Sequence, residues 1–566
     1  MRHNTKFGAR PISRQVNQLQ LTRGRGGPLV IASVCASLFI LQALLLLPYP
    51  GIQTDEALFA SLIYEPRNLE HFVQVFKQRI PLMVMSYLGA LKALLYALWF
   101  QIWPPSLASL RLPVVLAGAA SIGLFVTLLR DTLGRRAAWI GGLLLATDTS
   151  FLLLTTFDWG PVALQHLLLL AGLTLLVRFY RTRSRWQLAI AFFLFGLAFW
   201  DKAIFVWMFT GITLASVIVF PRALARVADR RNIAVALLAL AAGAAPLIVY
   251  NFRHHGPTFR NARYSTHDLA GKLHMVRSTL EGSALFGYLT REDDGHRRPN
   301  PPNALERASL ALSELAGRPR RNLLFYALIG CLVLLPVIWR SPARRAVLFA
   351  LIAMSAAWIQ MALNEGTGGS AHHSVLLWPL PHLIIAATLA EISCRAFRGA
   401  QAAVTALIAV LAVSGLLVTN EYLAQFIRHG PGPYWTDAMG PLVERLQTTP
   451  AGAVIVVDWG ILDSARLLSR GRLPLYQAID LASRERLDEE GLRALRWLLE
   501  LPDPLFVGYA PGENQVVPQG PRLAAHALHL GYVKQPLWEV PDRHGRIVFE
   551  VYRFRPTSDP DRSRSQ

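Results

Sequence analysis

The sequence predicts a polytopic α-helical membrane protein, with about eleven spans, followed by a small C-terminal α/β domain. Of its 566 residues, 53% are hydrophobic and 16% charged, too apolar and too poor in charge for an ordinary soluble enzyme. Apolar runs of spanning length recur through the first 420 residues, with arginine clusters between them. Past residue 421 the pattern changes to short β-branched runs. The net charge of +21 would point to nucleic acid in a soluble chain. Here the arginines sit between apolar runs, where they orient the chain in the bilayer, and nucleic-acid binding is rejected on that ground.

Taken in order, residues 1–28 carry Arg2, Lys6, Arg10, Arg14, Arg23 and Arg25 and read as a basic cytoplasmic tail. The apolar run 29–47 is too long for a signal peptide and no A-x-A site follows, so it reads as an uncleaved first span. Further spans are expected over 111–129, 138–154, 161–177, 187–200, 203–220, 233–251, 322–339, 346–363, 375–391 and 402–420. With the N-terminus cytoplasmic, the arginine clusters at 130–136, 178–185, 221–231, 340–345 and 395–398 all fall on the cytoplasmic side. That agreement requires 81–101 to lie along the interface or re-enter as a helix without crossing. It also requires a break at Asp201-Lys202, because an unbroken helix over 187–220 would be about 51 Å long.

The outward segments are then 48–110, the turn near Asp158, the Asp201-Lys202 turn, the loops 252–321 and 364–374, and everything after 420. An outward α/β domain is expected over 421–555, with strands at 454–457, 505–508 and 547–551 and helices near 461–470 and 484–500. A polar, disordered tail is expected over 556–566. Cys35 and Cys331 lie in apolar runs and Cys394 beside Arg395, so the three cysteines read as packing residues. There is no internal repeat.

The residues suited to chemistry gather on the outward face. Asp55 and Glu56 follow the first span and open a short interfacial helix capped by Thr54. They are either the negative end of a helix-dipole pairing or a catalytic pair. Asp158, in Phe157-Asp158-Trp159-Gly160-Pro161, is an acid at a break between two apolar runs, again a plain turn or a site. Arg79 and Lys202 are outward cations beside apolar segments, placed to hold a lipid phosphate or only to snorkel. The loop from Asn251 through Arg253, His254 and His255 is basic on the side where basic loops are disfavoured, which points to an anionic partner. His372 and His373 open an outward helix end. Adjacent histidines do not share a helix face, so a divalent metal ion would need one of them plus a distant acid. No phosphate-cradling loop, nucleophile elbow or H-E-x-x-H motif is present.

These residues resemble a known family. The acid pair after the first span, Arg79 and Pro81 in the first outward segment, Arg111-Leu112-Pro113 opening the next span, Asp158 in the second outward turn and the soluble C-terminal domain together resemble membrane glycosyltransferases of the GT-C superfamily. The likeness is strongest to the bacterial branch similar to protein O-mannosyltransferases and lipid A aminoarabinose transferases, over roughly residues 29–400. The resemblance implies transfer of a sugar from a polyprenyl-phosphate donor to a glycan, lipid or protein acceptor at the outer face of the bacterial cytoplasmic membrane. It carries the role of base or acceptor-positioning acid to Asp55, with Glu56 beside it, and that of second acid to Asp158. The family's donor-phosphate lysine directly before proline becomes Arg79-Ile80-Pro81 here, and its lysine after the mid-chain apolar run matches Lys202. With Arg253, these cations would surround the phosphate. The segment His372 to Pro379 loosely matches the family's late outward helix start, so His372, His373 and His254 are expected to contact acceptor or donor. The alternative is a transporter or flippase of an anionic lipid-linked saccharide, which predicts polar residues in mid-span and repeat symmetry.

Overall fold

The computed structural model describes residues 27–64, 71–260, 262–293, 298–395, 397–513 and 519–557. The expected tails, 1–28 and 556–566, lie almost wholly outside the described residues. Each apolar run read as a span is helical, yet several are broken. Arg135–Ala146 is separated from Thr149–Leu154, which Asp148 caps, and Leu324–Val333 from Leu335–Ile338, which has Pro336 in its first turn. Among the described residues five helices are long and apolar enough to cross a membrane: Leu29–Leu46, Leu107–Leu133, Val162–Thr182, Ala343–Ala362 and Arg398–His429. Two bent pairs raise that number to seven. One is Arg230–Gly243 with Ala245–Arg253, turned by 70° where Pro246 interrupts the ladder. The expected count of about eleven is therefore not established, because the remaining pieces are shorter than the roughly 20 residues a bilayer asks of one helix.

The arginine clusters nonetheless come together. Arg181 donates to the Asp131 carbonyl, Arg183 Nη1 to the Arg226 carbonyl at 3.4 Å, and Arg185 Nε to Asn232 at 3.2 Å. Arg136 Nη1 reaches Cys394 Sγ at 3.1 Å. Four of the clusters thus share one end of the bundle. The Val162–Thr182 helix, about 31 Å long at 21 residues, leads from that end to the Asp158 turn. The Arg185–Asp201 helix returns to the same far end, and a new helix, Phe205–Val219, begins after Lys202, as the break required.

The segment after the first span departs from expectation. In place of an interfacial helix over 81–101, residues 71–89 form an antiparallel meander of β1 (His71–Val75), β2 (Gln78–Met85) and β3 (Leu88–Gly89). Val84, Met85 and the β-branched Val73, Val75 and Ile80 favour extended backbone. Only Leu91–Ile102 is helical, and its 12 residues rise about 18 Å, too little to cross. Gly89 lets β3 close onto the end of the Arg185–Asp201 helix, since a Cβ there would stand 1.9 Å from the Trp200 carbonyl oxygen. Ala203 N donates to the Tyr87 carbonyl at 2.9 Å and Leu88 bridges to Lys202.

The helix Arg398–His429 continues past the expected boundary at 421, so the C-terminal α/β unit begins after Gly430. Its five-stranded sheet has the order β5-β4-β6-β8-β7, with β4 (Ala453–Val456), β5 (Leu475–Gln477), β6 (Pro504–Tyr509), β7 (Tyr532–Pro541) and β8 (Ile547–Pro556). β4 runs parallel to β5 and β6, and β8 antiparallel to β6 and β7. The central strands are apolar on both faces because helices such as Leu462–Ser469 and Glu489–Leu499 cover the sheet. The unit is joined to the rest of the chain by several contacts. Arg291 pairs with Glu513, Arg543 Nη1 donates to the Pro48 carbonyl at 3.1 Å, and Gly51 N donates to the Trp435 carbonyl at 2.7 Å.

Candidate active site

The Thr54–Ser61 helix carries the first two candidate acids. Gln53 caps it, not Thr54: Gln53 Oε1 accepts from the backbone N–H of Asp55 at 2.7 Å and of Glu56 at 3.1 Å. The longer amide side chain reaches both free N–H groups of the first turn, which leaves Thr54 as the first helical residue.

Glu56 points inward and is 2% exposed. Arg111, fully buried, grips it in two parallel bonds, Nε to Oε1 at 2.8 Å and Nη2 to Oε2 at 2.9 Å. The remaining guanidinium donors go to the carbonyls of Leu47, Pro50 and Gly51 at 2.7 to 2.9 Å. All donors of Arg111 are therefore engaged, and Glu56 with Arg111 pins the segment after the first span to the start of the Leu107–Leu133 helix.

Asp158 is equally enclosed. Its Oδ2 pairs with Lys92 Nζ at 2.8 Å, while Oδ1 accepts from the backbone N–H of Val162 at 2.8 Å and Ala163 at 3.2 Å. It caps the Val162–Thr182 helix, where a negative group is favoured. Lys92 also donates to the Asp158 carbonyl at 3.2 Å. The Asp158 carboxylate thus orders the turn and neutralises Lys92.

Asp55 differs from both. Its side chain is partly exposed, and its one side-chain hydrogen bond among the described residues comes from Gln53 Nε2 at 3.3 Å. Burial raises its pKa above the usual carboxylate range, Asp463 adding to the shift and Lys202 opposing it. Lys202 is 2% exposed, and among the described residues its ammonium forms no hydrogen bond or ion pair. It lies within the field of Asp158, Asp201 and Asp55, yet burial dominates and draws its pKa down to about 8. A Cβ added at Gly160 would sit 3.3 Å from Lys202 Nζ, so the Asp158 turn forms one wall beside this ammonium. Asp201 Oδ2 accepts from Gln165 Nε2 at 2.9 Å, and its Oδ1 is buried without a partner.

Two residues beyond Lys202 an apolar crevice opens. Ile204, Phe205, Trp207, Met208, Leu169, Ala357, Met361 and Leu377 line it, with Gln165 and His166 at its polar edge. The other side of the Asp158 turn is aromatic. Trp159 packs on Tyr288 at 5.0 Å and on His372 at 5.1 Å between ring centroids, and its indole N–H donates to His372 Nδ1 at 2.6 Å. That bond makes Nδ1 an acceptor, so the neutral ring carries its proton on Nε2. His373 Nδ1 is buried without a partner. Among the described residues no three His, Cys, Asp or Glu side chains converge in a way that could hold a metal ion.

Three expected site residues stand elsewhere. Arg79 is exposed on β2, its guanidinium 4.7 Å above the Phe72 ring. Arg253 ends the Ala245–Arg253 helix, exposed, and His254 Nε2 meets His71 Nδ1 at 3.4 Å. No hydrogen bond or ion pair among the described residues joins these groups to Asp55, Asp158 or Lys202.

Sequence reasoning missed Lys92, Arg111 as the partner of Glu56, and Asp463. A signal existed for Lys92, an isolated lysine within an apolar stretch, which ordinarily has a named partner. None existed for Asp463, which comes from the Leu462–Ser469 helix of the C-terminal unit and accepts from Ser61 Oγ at 3.0 Å.

The helical bundle and its appended α/β unit define a multi-pass helical membrane protein, and its fold is shared with solved membrane proteins. Among solved structures, the chain is similar to ArnT from Cupriavidus metallidurans bound to undecaprenyl phosphate. Identity is 14% over 93% of this chain and 98% of that one, with a TM-score of 0.55. The same protein in its apo state matches at 0.53, again at 14% identity, over 94% and 98%. The archaeal oligosaccharyltransferase AglB from Archaeoglobus fulgidus, in complex with an inhibitory peptide and a dolichol-phosphate, matches at 0.51 and 14% identity, over 90% and 73%. No protein-family profile and no curated protein sequence matches the chain.

Proposed function

We propose that this protein is a glycosyltransferase that moves a sugar from a polyprenyl-phosphate-linked donor to an acceptor hydroxyl at the outer face of the bacterial cytoplasmic membrane. The observation that carries the reading is Asp55 and Lys202, both left without an ion pair among the described residues, with an apolar crevice that begins two residues along the chain from Lys202. A phosphate-linked sugar on a prenyl chain matches all three features. The fold of proteins solved with undecaprenyl phosphate and with dolichol-phosphate supports the same donor class.

In this reading the prenyl chain enters the crevice at Ile204 and Phe205, and the phosphate comes to rest at Lys202. Asp55 accepts the proton of the acceptor hydroxyl as its oxygen bonds to the anomeric carbon. The bond from that carbon to the phosphate oxygen breaks, and polyprenyl phosphate departs with the electron pair, its new charge balanced by Lys202. Glu56 with Arg111 and Asp158 with Lys92 hold the frame. Arg79 and Arg253, expected at the phosphate, have no place in this scheme. His372, proton on Nε2, and His373 border the sugar side. The C-terminal unit faces outward with the site.

The test is transfer from an undecaprenyl-phosphate-linked sugar into envelope glycolipids and glycoproteins, followed by mass spectrometry in cells with and without the protein. The sugar that disappears identifies donor and acceptor together. Asp55→Asn keeps the size and removes the basicity, so transfer should fall about 10²- to 10⁴-fold. Parental transfer by that variant removes Asp55 from the role.

A further inference from the structure

The Leu462–Ser469 helix of the C-terminal unit packs along the Thr54–Ser61 helix. Ser61 Oγ donates to Asp463 Oδ1 at 3.0 Å, and Ser464 Oγ donates to the Ile52 carbonyl at 3.2 Å. The last residue of the helix that bears Asp55 is thus tied to a carboxylate 402 residues later in the chain. Arg466 Nη1 approaches the same Oδ1 at 3.0 Å, and the Asp463 side chain stays 19% exposed. Of the carboxylates around Asp55, Glu56 and Asp158 are neutralised by fully or nearly fully buried cations. Asp463 accepts from the Ser61 hydroxyl and pairs with Arg466 through one oxygen.

We propose that Asp463 is a positioning residue of the site: from the C-terminal unit it fixes the Thr54–Ser61 helix and sets a second negative charge beside Asp55. The C-terminal unit is then part of the active site and not an appendage to it. The charged and titratable groups that face Asp55 are Lys202 from the Asp201-Lys202 turn, Tyr87 from the β2–β3 turn, Tyr288 from the loop after Leu280 and Asp463 itself. Lys202 favours ionisation of Asp55 and Asp463 disfavours it. The inference deepens the reading above, because it assigns to the proposed base a partner that governs when it is ionised.

A carboxylate reacts with dicyclohexylcarbodiimide only in its protonated form, so the extent of Asp55 labelling against pH, read by peptide mass spectrometry on the full chain in detergent, reports its ionisation without any substrate. Removing a like charge makes Asp55 more acidic. In Asp463→Asn, whose amide oxygen still accepts from Ser61, the labelling midpoint should move down by about 0.5 to 1 pH unit. In Arg466→Gln, which leaves Asp463 less neutralised, it should move up by a smaller step. Shifts of opposite sign in the two variants support the inference, and unchanged midpoints, or both moving the same way, overturn it. Should Asp463→Asn fail to fold, the Arg466→Gln shift decides alone. The glycosyltransferase reading stands or falls on transfer by the parent protein and by Asp55→Asn, whatever the midpoints do.

Discussion

Two kinds of charge pair occupy the same end of the helical bundle, and they are built differently. Glu56 with Arg111 and Asp158 with Lys92 are closed: every partner is nearly or fully buried, and the donors are saturated by carboxylate and backbone oxygens. Asp55 and Lys202 are open: among the described residues one side-chain hydrogen bond serves the acid and none the ammonium. A carboxylate clasped by a bidentate guanidinium is fixed by two directional bonds, so it is held in place chemically as well as sterically. Sequence proximity hides this contrast. Asp55 and Glu56 are neighbours, but the roughly 100° between successive helix positions leaves Asp55 partly exposed and turns Glu56 into the protein.

The largest expected effect breaks a closed pair. Arg111→Met removes the cation and strands Glu56 in a buried site, which should destabilise the fold by about 3 to 5 kcal/mol. The double substitution Arg111→Met with Glu56→Leu should recover most of that loss. Thermal unfolding of the purified protein in detergent measures both. Were the single substitution harmless, the pair would be ornamental and the contrast with Asp55 and Lys202 would vanish.

The open pair predicts loss of binding with stability retained. Lys202→Gln should weaken binding of undecaprenyl phosphate about 10-fold or more, the range for a charge-assisted hydrogen bond, while the melting temperature stays near that of the parent. The pH dependence follows from the same ammonium. Below its pKa of about 8 Lys202 is charged, and as pH rises through 8 the charge and the affinity are lost together. Titration of binding from pH 6.5 to 9.5 should show that fall in the parent and a flat profile in Lys202→Gln. On the acid side the elevated Asp55 pKa works the other way: turnover should rise with pH through a value above the normal carboxylate range.

How much of this was readable from the residues depends on distance along the chain. The apolar helices, the break at Asp201-Lys202 and the central strands β4, β6 and β8 follow from local hydrophobic pattern, though the number of full spans does not. Three local readings failed for identifiable reasons. The stretch 81–101 has helical apolarity, yet its first half pairs with β1, a contact that pattern does not encode. β5 is three residues long, and β7, with Lys534, Gln535 and Pro536, lies at the sheet edge where polar residues and proline are tolerated. Thr54 lost the cap to Gln53, whose longer side chain reaches two N–H groups. At the site, the acids and Lys202 stood out because charge beside apolar runs is costly. Which acid is open and which is closed was not legible, since that depends on Arg111, Lys92 and Asp463, which lie 55, 66 and 408 residues from Glu56, Asp158 and Asp55 respectively and are brought to them only by folding.

The smallest expected effect sharpens the boundary of the open site. Arg79 was expected beside the phosphate, but β2 carries it outward, with its guanidinium over Phe72 at 4.7 Å and its side chain in solvent. An exposed cation over an aromatic face contributes about 0.5 to 1 kcal/mol, and a solvent-screened charge adds little to binding at a distance. Arg79→Gln should therefore leave undecaprenyl phosphate affinity within about 2-fold of the parent at physiological salt, against the 10-fold or greater loss in Lys202→Gln. If both substitutions weaken binding equally, the meander must fold over the phosphate when the lipid arrives, and the site would extend from Lys202 across β2.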